Sequence, residues 1–112
     1  MWRMIGRIVR PALGAACAAV LLASSLASAD QQFEIHMRNN SYNPDSLTVP
    51  AGTMVRWVND DGDVHTISQI GGGFDSGLVF TRDSWSYTFN DPGTYEFYCL
   101  PHPYMHGTIT VE

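Results

Sequence analysis

Short segments with alternating apolar and polar residues fill the chain from Gln32 to its last residue. Seven of them, rich in β-branched and aromatic residues, are QFEIHMRN, SLTVPAG, TMVRWVND, VHTISQI, SWSYTFND, GTYEFYCL and HGTITVE. Turn-forming stretches separate them, among them NNSYNPD, NDDGD, GGGFDSG and NDPG. Alternation with period two is typical of β-strands with one buried face, and no segment shows a helical apolar stripe. The pattern therefore predicts an all-β sandwich or barrel.

The first 29 residues have a different composition, which is typical of an export signal. Three arginines lie within the first ten residues, and an apolar run rich in Ala and Leu follows over residues 12–22. Ala27-Ser28-Ala29 supplies the small residues that a signal peptidase requires. The apolar run is shorter than the roughly 20 residues of a membrane-spanning helix. We therefore predict a signal peptide over 1–29 and one domain over 30–112, with an uncleaved N-terminal anchor as the alternative.

Cleavage after Ala29 would leave a strongly acidic domain. Residues 30–112 contain three arginines, no lysine and all eleven acidic residues of the chain, a formal net charge of −8 with the histidines neutral. Such a charge disfavours binding to nucleic acid and to anionic membranes, and it favours a partner with a basic surface. We expect a monomer without stable membrane insertion.

Cys99 is the only cysteine in the predicted domain. Small exported domains usually pair their cysteines, so a single thiol is either buried and inert or occupied by a ligand. The motif C-x2-H-x2-M in CLPHPYMHG favours a ligand, because it places a thiolate, an imidazole and a thioether on one loop stiffened by prolines. Two histidines, one cysteine and a weak axial methionine form the blue-copper donor set, whereas a thioether is a poor ligand for zinc.

That donor set needs a second histidine, and three others are present. His65 follows the acidic turn NDDGD, which can bring it to the same end of the sandwich as the loop over 99–105. His36 lies in the middle of a predicted strand, where a surface or half-buried position is expected. His106 directly follows Met105, and neighbouring side chains on an extended chain point in opposite directions. We therefore predict that His65 is the missing ligand.

These residues lead to a family resemblance. The stretches YNPDSLTVPAGTMVRWVNDDGDVHTI and SWSYTFNDPGTYEFYCLPHPYMHGTITVE, with the order His, Cys, His, Met, resemble the cupredoxins, and most closely the amicyanin and plastocyanin group. The resemblance implies a Greek-key β-sandwich and an electron carrier, so we do not expect an enzyme. The predicted signal peptide places the protein in the periplasm. It implies one type 1 copper that cycles between Cu(I) and Cu(II) and exchanges electrons with redox proteins such as a cytochrome or a periplasmic dehydrogenase. The implied copper ligands are His65, Cys99, His102 and Met105.

The resemblance also assigns roles around the ligands. The exposed edge of His102 would be the electron port. An apolar collar would surround it, formed by Leu100, Pro101, Pro103 and Tyr104, although simple packing of the loop is an equal alternative for these four residues. Thr66 stands where family members often have Asn. Its backbone N–H is expected to keep the family's hydrogen bond to the cysteine sulfur, while its side chain supports the site differently.

Two other functions use the same residues. One is a copper-binding protein that scavenges or delivers the metal, although the remaining Met and His residues are too scattered for a metal-loading tract. The other is a hydrolase with a Cys99–His102 pair, although no oxyanion motif is evident.

The acidic turn has two possible roles: it steers a basic partner or keeps the turn soluble, through Asp60, Asp61 and Asp63. A calcium loop is disfavoured because no glutamate closes it.

Overall fold

This computed structural model describes residues 33–112, which form two four-stranded β-sheets. The strands are β1 (Phe33–Arg38), β2 (Ser41–Asn43), β3 (Ser46–Val49), β4 (Thr53–Asn59), β5 (Ser68–Gln69), β6 (Ser84–Phe89), β7 (Gly93–Tyr98) and β8 (His106–Val111). Across these residues, no helix has the length and the apolar character that crossing a membrane requires. The signal peptide predicted over 1–29 lies outside the described part of the chain.

The two sheets confirm the predicted all-β sandwich. One sheet has the strand order β2-β1-β4-β6, and the other has the order β3-β8-β7-β5. The parallel pairs β1–β4 and β3–β8 join strands that are distant in sequence, while the other neighbours are antiparallel. The chain therefore crosses repeatedly between the sheets, as in a Greek key. These crossings bring separate loops to the same end of the sandwich.

Aromatic side chains join the two sheets in the core. Trp57 of β4 is fully buried and meets Phe97 of β7 edge to face, with their ring centroids 5.5 Å apart. Tyr42 of β2 meets the same Phe97 ring at 4.8 Å. Edge-to-face pairs of this kind contribute about 0.5–1.5 kcal/mol each beyond the area that they bury. The core therefore fixes β7, the strand that leads into Cys99, against the opposite sheet.

Gly107 makes room for this core at the start of β8. It lies directly opposite Phe97 in the β7–β8 register, and a Cβ atom at this position would overlap the Phe97 ring. The aromatic ring thus occupies the space that a side chain on the neighbouring strand would need. The glycine after Met105 and His106 is therefore required by packing at the exit of the candidate ligand loop.

The stretch NNSYNPD differs from its predicted form. It was expected to be a turn, but it contains β2, which pairs with β1 in a hairpin. Asn39 and Asn40 form the two-residue connection with φ values of 53° and 54°. Asn tolerates this left-handed conformation, which a type I′ hairpin turn requires at both positions. The prediction was wrong because an Asn-rich stretch satisfies the rules for a turn and conceals a strand of three residues.

Candidate metal centre

The predicted donors come from two connections at one end of the sandwich. Cys99 directly follows β7, and the loop over 99–105 ends where β8 begins. His65 lies in the connection between β4 and β5. Its backbone N–H donates to the carbonyl of Val79 at 3.2 Å, and its carbonyl accepts the Val79 N–H at 2.8 Å. This isolated bridge fixes the backbone of His65. The ring of His65 lies beside Cys99, which is 34 residues further along the chain.

Three potential ligand atoms converge at this end. One atom each from His65, Cys99 and His102 lies within 4.8 Å of the other two. The Cys99 Sγ is 3.7 Å from the Nδ1 of His65 and 3.5 Å from the Nδ1 of His102. Cys99 and His65 are fully buried, whereas the side chain of His102 is 15% exposed. The group therefore has one partly accessible member.

Met105 closes the same loop. Its backbone N–H donates to the carbonyl of His102 at 2.8 Å, and its carbonyl accepts the N–H of Cys99 at 3.2 Å. Its side chain is buried. The loop therefore brings a thioether to the thiol and the two imidazoles. This donor set is soft, and it suits copper better than zinc, calcium or magnesium.

Two carboxylates determine the tautomers of the two histidines. The Nε2 of His65 lies 2.8 Å from Asp61 Oδ2, and the Nε2 of His102 lies 3.0 Å from Asp63 Oδ2. A carboxylate only accepts hydrogen bonds, so each Nε2 carries the proton and donates it. In the neutral rings each Nδ1 therefore keeps its lone pair, and both Nδ1 atoms lie on the side of Cys99. Carboxylates often orient metal-binding histidines in this way.

Neither of the other two histidines belongs to this group. His36 is half-buried on β1, and its ring nitrogens contact Asp60 at 2.8 Å and Glu34 at 3.2 Å. His106 is exposed, and its Nε2 lies 2.7 Å from the carbonyl of Pro103. Of the three candidate histidines, only His65 therefore lies with Cys99 and His102, and its role as a ligand stays a prediction.

Asn59 organises the acidic turn that carries the two carboxylates. Its side chain is fully buried, and its Nδ2 donates to the carbonyls of Asp63 at 2.8 Å and Val79 at 2.9 Å. Its Oδ1 accepts the backbone N–H of Asp61 at 2.8 Å. One amide therefore holds both ends of the turn in place. The sequence analysis did not assign this function, although an Asn at the start of the acidic turn NDDGD was a possible signal.

The acidic turn is also tied to the β1–β2 hairpin. Asp61 accepts the backbone N–H groups of Asn39 at 2.7 Å and Asn40 at 3.0 Å, in addition to the His65 ring. Burial acts to raise the pKa of Asp61, but these hydrogen bonds together hold that pKa below its ordinary value. Hydrogen bonds from Arg38 and His36 similarly lower the pKa of Asp60. The three carboxylates thus have partners within the protein, which neither predicted role, steering or solubility, had included.

The main chain of Thr66 supports the thiol. Its N–H donates to Cys99 Sγ at 3.4 Å, which is the bond expected at this position. Its carbonyl accepts the hydroxyl of Tyr42 at 2.5 Å. Burial, followed by the charge of nearby Cys99, raises the pKa of Tyr42 above its ordinary value, so the phenol stays a donor.

The side chain of Thr66 begins a buried polar chain. Its Oγ1 accepts the backbone N–H of Leu100 at 2.9 Å and lies 2.9 Å from the hydroxyl of Ser68. Ser68 in turn donates to the Oδ1 of Asp75 at 3.0 Å. Since the Ser68 proton goes to the carboxylate, the Thr66 hydroxyl must donate to Ser68. All protons therefore point from the ligand loop toward Asp75, and the side chain of Thr66 supports the loop through its bond to Leu100.

Thr66→Val is expected to weaken this support without removing the bond to the thiol. Valine has the same shape, but it leaves the Leu100 N–H and the Ser68 hydroxyl without their partner. We expect the free energy of unfolding to fall by about 1–3 kcal/mol. Urea denaturation of the metal-free protein measures it, with exposed Thr88→Val as the matched control, expected within about 0.5 kcal/mol of wild type. Equal stability of the two variants would contradict the prediction.

Comparison with known proteins finds similarity over most of the chain. A model of the cupredoxin-like domain matches residues 12–111. Amicyanin of Paracoccus denitrificans is 28% identical over 89 residues, which cover 75% of this chain and 68% of that protein. Chloroplastic plastocyanin of Physcomitrium patens is 34% identical over 119 positions, which cover 95% of this chain and 71% of that protein. The structure of a reduced tryptophan-to-tyrosine mutant of amicyanin aligns with a TM-score of 0.70 at 26% identity, over 74% of this chain and 84% of that one.

Proposed function

This chain belongs to the cupredoxin family, and we propose that it is an exported type 1 blue copper protein that carries single electrons between larger redox proteins. The observation that carries this proposal is the convergence of two Nδ1 lone pairs on the buried sulfur of Cys99. The protons on the opposite nitrogens are held by Asp61 and Asp63. The donor atoms are therefore preorganised: their positions and ring orientations already suit a soft metal before the metal binds.

His65 and His102 would hold the metal through Nδ1, Cys99 through its thiolate sulfur and Met105 through its thioether, the weakest donor of the four. Copper bound there would supply a one-electron couple between Cu(II) and Cu(I). The protein's part is to keep the donors still while the charge changes. Cys99 is held by the Thr66 N–H, and His65 by the Val79 bridge and by Asp61. These fixed contacts favour electron transfer because little rearrangement is needed.

Electron exchange is assigned to the edge of His102. Among the three converging residues of the described chain, His102 alone has a partly exposed side chain. Leu100 and Tyr104 beside it are 49% and 68% exposed, and the Tyr104 ring lies 6.0 Å from the His102 ring. An exposed apolar surface around a ligand suits brief contact with another redox protein. The proposed partners are a cytochrome or a periplasmic dehydrogenase, met by a monomer in the periplasm.

Burial of the donors argues against the other two functions. A hydrolase needs its nucleophile open to a substrate, but Cys99 is fully buried. A protein that delivers copper must release it readily, but two of the three converging residues are buried and their positions are fixed by hydrogen bonds.

The test is a visible spectrum of the purified protein after addition of Cu(II). We expect an intense blue absorption that ascorbate bleaches and ferricyanide restores, because a thiolate bound to Cu(II) absorbs strongly and the couple is reversible. A colourless protein that takes up only Cu(I) would instead indicate copper handling. A protein that binds no copper would mean that Cys99 is a packed core thiol.

A further inference from the structure

We propose that Asp63 is a positioning residue of the metal centre, which orients the exposed ligand His102 and places a negative charge at the outer edge of its ring. The inference rests on the proposed function and deepens it, because it assigns control of the site to a residue that is not itself a ligand. Asp63 Oδ2 lies 3.0 Å from His102 Nε2, and the two residues are 39 positions apart in sequence.

Asp63 is held in place although its side chain is 62% exposed. Its Oδ1 accepts the N–H of Val64 at 2.9 Å, which leaves Oδ2 directed at the ring. Its carbonyl accepts a hydrogen bond from the buried side chain of Asn59 at 2.8 Å. The two carboxylate oxygens therefore have different partners, and the backbone beneath them is fixed. Such a carboxylate differs from a surface side chain that samples many rotamers.

The Asp63 contact connects the acidic turn to the ligand loop over 99–105 on the exposed side of the site. On the buried side, Thr66 connects the segment after that turn to the same loop, because its N–H donates to Cys99 and its hydroxyl accepts the Leu100 N–H. The Asp63 contact fixes the proton on Nε2 of His102, so that the Nδ1 lone pair stays available to the metal.

The charge of Asp63 has a second effect. A carboxylate beside an imidazole ligand makes the ring a stronger donor and favours the more highly charged state of the metal. Because Asp63 is largely exposed, solvent and salt reduce this effect. We expect the carboxylate to favour Cu(II) over Cu(I) by about tenfold, which corresponds to ~59 mV in the midpoint potential of a one-electron couple.

Two substitutions separate the two effects. Asp63→Asn removes the charge and keeps one acceptor oxygen, which can take the Nε2–H while the exposed Val64 N–H turns to solvent. Asp63→Ala removes the charge and both acceptors. Asp91→Asn and Asp91→Ala are the matched controls. Asp91 is exposed and precedes β7, the strand whose other end leads into Cys99. The controls therefore change the net charge equally, at the end of the strand remote from the site.

The first readout needs no metal. Nitrogen-15 NMR of the imidazoles in the metal-free protein reports which nitrogen of His102 carries the proton. We expect the Nε2–H form in wild type, in Asp63→Asn and in both Asp91 variants, and a mixture of tautomers in Asp63→Ala. The second readout is the midpoint potential of the copper-loaded protein in one buffer of low ionic strength. We expect both Asp63 variants to raise the midpoint potential by ~59 mV, which corresponds to a tenfold loss of the preference for Cu(II) over Cu(I). The Asp91 variants should shift the potential far less.

The inference requires both results. An unchanged His102 tautomer in Asp63→Ala overturns the positioning role, and a potential shift no larger than that of the Asp91 variants overturns the charge effect. If wild type takes up no copper, the proposed function fails, but the NMR comparison still decides whether Asp63 orients His102. The two failures are therefore distinguishable.

Discussion

Cys99→Ser is expected to abolish the intense visible absorption of the copper-loaded protein. A serine hydroxyl is a hard donor that stays protonated near neutral pH, so no thiolate remains to give the strong charge-transfer band. Ser has nearly the same shape as Cys, and the Thr66 N–H next to it keeps an acceptor. The variant should therefore fold and leave the change confined to the metal site. The measurement is the visible spectrum and the electron paramagnetic resonance spectrum after addition of Cu(II).

The control for this experiment is His106→Gln. His106 lies at the same end of the sandwich, but it is exposed and contacts the carbonyl of Pro103 rather than the converging donors. We expect this variant to keep the blue band and its reversible bleaching. Persistence of the band in Cys99→Ser, or its loss in His106→Gln, would show that the chromophore is not the assigned site.

Asn59→Asp is expected to have the largest effect on stability. The change is nearly isosteric, but it replaces a fully buried NH₂ group that donates to two carbonyl oxygens with an oxygen that faces them. The new carboxylate must either lie charged in the interior or bind a proton and still leave one carbonyl unpaired. We expect the free energy of unfolding to fall by about 3–5 kcal/mol. A small domain has only about 5–15 kcal/mol in total.

Urea denaturation of the metal-free protein measures this loss, and Asn90→Asp is the matched control. Asn90 is exposed after β6, so the same substitution there should change the free energy of unfolding by no more than about 0.5 kcal/mol. Asn59→Asp should also weaken copper binding, since Asn59 holds the backbone of both Asp61 and Asp63. A loss below about 1 kcal/mol would show that the turn does not depend on this amide.

Local patterns in the sequence were sufficient for the fold class. Alternation with period two depends only on neighbouring residues, so the main strands could be recognised without knowing their partners. The same rules failed for β2, where Asn39 and Asn40 form a two-residue hairpin connection within an Asn-rich stretch. They also overestimated VHTISQI, of which only Ser68–Gln69 forms a strand. His65 instead bridges to Val79 in a segment that the sequence pattern did not mark as a strand.

The donor residues could likewise be named in advance, and their role as copper ligands stays a prediction. Cys99, His102 and Met105 share one loop, so their proximity follows from a spacing of two residues between successive donors. His65 was chosen by elimination and by the position of a turn. The structure brings His65, Cys99 and His102 together, and it buries Met105 in the same loop.

The carboxylate partners of the histidines could not be read in the same way. Asp61 and Asp63 looked like members of an ordinary acidic turn, because a charge in sequence does not reveal the atom that it faces. Asp63 meets a ring 39 residues away, and that contact exists only after the sheets have placed two loops at one end. Composition and periodicity describe residues that are close together along the chain. The orientation and the tautomer of each predicted ligand depend instead on groups that folding brings together from distant segments.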